Sequence, residues 1–321
     1  MPGSDEPNKL SVWQGILKLD LLGAALTIPA TICLILALQW GGSVYSWNDS
    51  RIIGLLVGAG CLSILLVYAQ VRLGEHSTFP PQLMRSRDIV CASLFACFFG
   101  AAFYPAIYYL ALYFQSVRGS TAFHAGIQTL PLLISSSISS LATGALISAT
   151  GYYNPFMIVC MALLIAGAAC LSTLNQTTWY WRNFGYQILA GSGIGVGFEA
   201  GFIIAQNVAP PGPLIPAAIA IVGFTQTMGG TIFIAIAQTV FQRGLLQGIE
   251  DRAPELNPQT FLQNGATDVS ALLASSHHQE LLGPVLESYV EGIRNVYWLV
   301  TACTAVAFAA ACGLRWKKLE E

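Results

Sequence analysis

The chain has 321 residues, of which 55% are hydrophobic and only 9% charged, with a net charge of −2. Soluble domains carry roughly 25% charged residues, so a wholly soluble protein is excluded. Without a basic run, nucleic-acid binding has no electrostatic term to rest on.

The first 18 residues, MPGSDEPNKLSVWQGILK, begin polar and lack a secretory apolar core, so they read as a cytoplasmic N-terminal segment and not a cleaved signal. Apolar stretches follow at 19–38 and 51–71. A polar link at 72–88, with Pro80-Pro81, separates them from six more stretches at 89–114, 124–149, 154–174, 184–208, 213–241 and 293–314. About 20 residues cross a hydrocarbon layer of roughly 30 Å as a helix. Inside lipid the backbone must bond to itself, which a helix achieves. The fold class expected is therefore an all-α polytopic bundle of eight transmembrane helices. Residues 242–292 form a long loop rich in acidic side chains, in which LLQGI and ALLASSHHQELL could be short amphipathic helices, though a solvated loop is the simpler reading. Residues 315–321 are a short tail.

Loop charges orient the bundle. With the N-terminus inside, the inner segments hold Lys9, Lys18, Arg72, Arg85, Arg87, Arg315, Lys317 and Lys318; the outer ones hold Arg51, Arg118, Arg182, Arg243, Arg252 and Arg294. Eight crossings then put both termini in the cytoplasm. The two N-x-[ST] sequons, at Asn48 and Asn175, fall on outer loops and are glycosylation candidates. All seven tryptophans lie near stretch ends or in connections, as an interfacial belt predicts. The eight cysteines lie within apolar stretches without CxxC or Cys/His spacing, so they are small apolar fillers; neither metal nor cofactor is expected.

Several stretches carry a family resemblance. LALQWGGSVYSWNDSRIIGLLVG, AIYYLALYFQSVRGSTAFHAGIQTLPLL, TGYYNPFMIVCMALLIAGAACLSTL, GYQILAGSGIGVGFEAGFIIAQNV, FTQTMGGTIFIAIAQTVFQ and LESYVEGIRNVYWL resemble, in wording and order, the fungal 14-helix drug:proton antiporters of the major facilitator superfamily. The resemblance covers about residues 17–318. It implies two linker helices (19–71) and the C-terminal six-helix transporter half (89–314), with the N-terminal half absent. It further implies proton-driven export of a hydrophobic small molecule such as a drug, toxin or fungal secondary metabolite. The membrane implied is the plasma membrane or the vacuolar one. Partners would be lipid, protons, the substrate, and either a separate N-terminal half or a second copy. A truncated, transport-inactive form is the alternative. Gly144-Ala145-Leu146-Ile147-Ser148-Ala149-Thr150-Gly151 occupies the place of the family's charged loop motif but has lost its charges, so no electrostatic switch is expected there.

Glu199 is the ionisable residue deepest in a stretch, where a charge costs about 2.5–3.5 kcal/mol. Two roles fit: a proton-coupling or cation-sensing carboxyl, or a hydrogen-bonded strut. Gly185, Gly193, Gly197 and Gly201, spaced by four or eight, would build one flat face for close helix approach; Gly229-Gly230 would do so on the next helix. GSGIGVG is no dinucleotide fingerprint, because no strand precedes it. Gln128, Gln187, Gln206, Gln226 and Gln238 offer uncharged hydrogen bonds in an apolar setting; Gln226 and Gln128 are substrate-cavity candidates or interhelical glue. The aromatic run from Phe95 to Phe114 adds Phe99 and Tyr109 as cavity candidates, with ordinary packing the alternative. No HExxH, GxSxG or phosphate loop appears, so no enzyme is expected; His277-His278 reads as solvated loop.

Overall fold

The computed structural model describes residues 20–42, 45–74, 79–210, 212, 214–263, 269, 273 and 279–313. The N-terminal segment, most of ALLASSHHQELL with His277-His278, and the tail lie outside them. Among the described residues every regular element is helical, and eight helices are long and apolar enough to cross a membrane. The chain folds as two compact units, 1–86 and 87–321.

The first unit is a helical hairpin, α1 (Leu21–Trp40) and α2 (Ser50–Leu73), followed by a single turn, α3 (Pro81–Met84). Asp20 caps α1 by accepting from Gly23 N at 2.6 Å, and its other carboxylate oxygen accepts from Gln70 Nε2 at 2.8 Å. Gln70 in turn accepts from Phe79 N at 3.0 Å, which ties the chain after α2 back to the hairpin. Asp49 caps α2 through Arg51 N. The buried seam consists mainly of small residues, Ala30, Ala37, Ala59 and Ala69, while Ile28, Ile64, Val67 and Val71 face outward. Small residues let two backbones approach where lipid offers no hydrophobic drive.

The second unit holds six long helices: α4 (Arg87–Ser116), α5 (Ala122–Thr150), α6 (Asn154–Leu171), α7 (Tyr180–Val208), α8 (Leu214–Arg252) and α10 (Leu282–Cys312), with a short α9 (Pro258–Gln263) between the last two. Its packing is internally repeated. α4 lies chiefly against α8 and α10, and α7 lies against α5 and α6 in the same way; α4 also meets α7, and α6 meets α10. Glycines make both principal contacts. A Cβ on Gly100 of α4 would strike the Gln226 carbonyl of α8, and one on Gly229 would strike the Cys97 carbonyl of α4. Across the other pair, Gly191 and Gly195 of α7 lie on the carbonyls of Leu132 and Ser136 of α5. α8 also packs on α10, whereas α5 does not pack on α6 to a similar extent; Ile127, Ile134, Ile138 and Leu141 of α5 are exposed in consequence.

The 242–292 region departs from expectation. α8 is 39 residues, about 58 Å at the helical rise and nearly twice a hydrocarbon core of roughly 30 Å. LLQGI is its continuation, not a separate surface helix or a loop. α10 likewise starts at Leu282 and not near 293, so Trp298 stands mid-helix. The two extensions adhere through Gly244 and Gly248 against Gly292 and Ser288. Arg252 joins them ionically, 2.6 Å from Glu291 and 3.9 Å from Glu287. Tertiary contact along this seam supports helix where isolated propensity would not.

Candidate functional site

Glycine at 195 draws α7 onto α5, and Phe103 of α4 closes the third side of the space beside that contact. The result is a cleft of about 440 Å³ lined by Phe103, Leu133, Ser136, Ser137, Ser140, Leu141, Ile194, Gly195 and Phe198. That volume lies within the usual 300–1,000 Å³ of a small-molecule site. Phe103 and Phe198 meet edge to face at 5.9 Å, and Phe103 stacks on Phe99 beneath it at 5.9 Å and 5°. A second cleft of about 400 Å³ runs along α5 and α7 by Ile127, Pro131, Ile134, Ser135, Phe184 and Ser192.

The polar groups are hydroxyls and one carboxyl. Ser136 and Ser137 each donate to the carbonyl of Leu133, at 2.8 and 3.0 Å. Ser140 donates to Glu199 Oε1 at 3.3 Å, bridging α5 and α7. Glu199 is partly buried, one residue beyond the cleft-lining Phe198. Its reach to Ser140 puts the carboxyl that lies deepest within an apolar stretch at the margin of the cleft.

The other candidates go elsewhere. Phe99 and Tyr109 are each only 1% exposed; Phe99 underlies the lining, and Tyr109 packs 5.4 Å from Phe241. Gln226 is buried in the α4–α8 contact. Gln128 accepts from Ser120 at 3.1 Å near the start of α5 and lines neither cleft. The glycines do not all meet one neighbouring helix. Gly193 abuts α6 at Leu164 N, Gly197 abuts Phe99 and Cys160, Gly201 abuts Val222, and Gly185 touches nothing. Gly229 and Gly230 both pack on α4, at Cys97 and Tyr104. The unpredicted Gly191 and Gly195 hold the α5 side. Asn48 and Asn175 are exposed, and Asn175 Oδ1 already accepts from Thr177 N and the Thr178 hydroxyl. Buried Gln187 donates to Asn183 at 3.4 Å while its Oε1 is without a hydrogen-bond partner.

Sequence reasoning missed Ser136, Ser137 and Ser140, and Phe198 with them. The signal was present: ISSSISS puts five hydroxyls into one apolar stretch, and Phe198 adjoins Glu199. Among the described residues no group of three His, Cys, Asp or Glu side chains is placed to hold a metal ion.

Comparisons with known proteins agree with this architecture. Residues 6–122 match the model of the fungal trichothecene efflux pump (TRI12) family. The chain is 35% identical over 305 residues to the MFS-type efflux pump MFS1 of Arthroderma benhamiae, covering 95% of this chain and 56% of the relative. It is 36% identical over 304 residues to the efflux pump roqT of Penicillium rubens, with 95% and 56% covered. The MFS-type transporter astH of Aspergillus oryzae is 37% identical over 303 residues, with 93% and 52% covered. In fold the chain is similar to a bacterial homologue of the human lysosomal transporter Spinster in an inward-facing, occupied conformation. The TM-score is 0.54 at 16% identity, covering 90% of this chain and 64% of that one. The chain is thus a multi-pass membrane protein that belongs with the fungal MFS-type efflux pumps, and it spans about half the length of the curated relatives it matches.

Proposed function

We propose that this chain supplies the linker helices and C-terminal half of a proton-coupled exporter of hydrophobic small molecules, with both termini in the cytoplasm of a fungal plasma or vacuolar membrane. One observation carries the reading: a carboxyl that is expensive to keep in a membrane, Glu199, is tied by Ser140 to the wall of an aromatic cleft of drug-sized volume. Protonation of that carboxyl changes the Ser140 contact and the charge beside the cleft together, which is how a proton and a substrate come to exclude one another. Transport by rocking of two halves around such a site needs a second half. The exposed apolar face of α5 supports a partner-dependent form, in which that half or a second copy covers it.

The test is pH-dependent efflux of a fluorescent hydrophobic dye from cells carrying wild type or Glu199→Gln. The variant should lose its response to an imposed pH gradient while its membrane level is kept. Unchanged coupling would remove Glu199 from the mechanism.

A further inference from the structure

The hydroxyls of the α4–α5–α7 cleft have committed their protons. A serine owns one O–H donor and two acceptor lone pairs. A backbone carbonyl only accepts, so the protons of Ser136 and Ser137 must point back to Leu133 O, at 2.8 and 3.0 Å. While Glu199 is ionised its carboxylate likewise only accepts, so Ser140 gives its proton to Oε1 at 3.3 Å. The remaining lining side chains, Phe103, Leu133, Leu141, Ile194 and Phe198, have no polar atom, and Gly195 has no side chain. The wall therefore offers acceptors and no free side-chain donor. Turning a serine outward to donate would break its intrahelical bond in an apolar setting, so exchanging one bond for another gains nothing.

Resting on the reading of this cleft as the substrate surface, we infer that it selects neutral, flat aromatic molecules bearing hydrogen-bond donors, with phenols as the chemical class. The donor of the phenol meets the lone pairs of Ser136 and Ser137, and its ring packs against the edge-to-face pair Phe103 and Phe198, 5.9 Å apart. Anions find no donor and no cation here, and the Glu199 carboxyl stands at the margin. An aromatic whose hydroxyls are capped brings acceptors to a wall of acceptors.

The experiment compares resveratrol with its tri-O-methyl ether, binding each to the chain in lipid nanodiscs with protein-free nanodiscs as reference. The ether is the more lipophilic, so burial alone would favour it; the acceptor wall reverses the order, with the phenol binding about tenfold tighter. In Ser136→Ala/Ser137→Ala the preference should collapse, and in Ser136→Thr/Ser137→Thr, which keeps both oxygens, it should persist. Equal binding, or tighter binding of the ether, by wild type overturns the inference while leaving the cleft as a substrate surface. Absence of binding by both above empty nanodiscs overturns the cleft itself. A preference that survives in a folded alanine pair overturns the assignment to these serines. The wild-type comparison stands alone if the alanine pair does not fold.

Discussion

Gly229→Ala tests the packing of the second unit most directly. The new Cβ would stand 2.7 Å from the Cys97 carbonyl carbon and 2.9 Å from its Cα, and closer still to its oxygen. Carbon atoms rest at about 3.5–4.0 Å, so α4 and α8 must separate by about 1 Å. Neither neighbour can yield cheaply, because the obstacle is helix backbone and not the end of a flexible side chain. Overpacking of this kind costs about 1–3 kcal/mol. Alanine recovers up to about 1 kcal/mol of helix propensity, so the net effect is destabilising. Gly185→Ala supplies the internal control: it adds the same methyl to a long helix of the same unit but meets nothing within 4 Å, so only the propensity gain remains. Thermal unfolding in detergent, followed by fluorescence-detected size exclusion, should place Gly229→Ala several degrees below wild type and Gly185→Ala level with it or above. An unchanged midpoint for Gly229→Ala, or a loss confined to Gly185→Ala, would refute the backbone contact.

Other outcomes follow from single contacts. Tyr297→Phe removes the fully buried hydroxyl that donates to Ala106 O at 3.2 Å and should cost about 1 kcal/mol, read in the same unfolding assay. Arg252→Gln breaks the 2.6 Å pair with Glu291; being part-exposed, the pair should contribute under about 1 kcal/mol and fade with salt, as a double-mutant cycle with Glu291→Gln would measure. At the turn before α6, burial and then the nearby Asp88 carboxylate push the Tyr153 phenol above its ordinary value. A raised folded value means that this contribution to stability is complete below pH of about 10 and disappears as pH climbs through the raised value. Tyr153→Phe should therefore soften the alkaline fall in midpoint relative to wild type.

The amino-acid sequence was enough for the class and its inventory. Eight apolar stretches near the length of a bilayer core admit only helices, because lipid gives the backbone no other partner. The eight long helices accordingly begin within about a turn of the expected positions, save α7, which starts four residues early, and α10. Glu199 stood out for the same reason, a charge against hydropathy. The sequence could not say where α8 stops or where α10 starts. Their extensions carry Arg243, Glu250, Asp251, Glu287 and Glu291, polar enough to read as loop, and they are helical because Gly244 and Gly248 let the two rods touch along Gly292 and Ser288. Nor could spacing assign glycines to neighbours. At i, i+4 steps Gly193, Gly197 and Gly201 look like one stripe for one neighbour, yet the stripe passes from α6 at Gly193, to α6 and α4 at Gly197, to α8 and α4 at Gly201, because the neighbouring helices cross it. The cleft belongs wholly to that tertiary level: it exists where Gly195 brings α7 against α5 beneath Phe103, and that approach turned a serine run into its polar wall while withdrawing Phe99, Tyr109 and Gln226 into the packed interior.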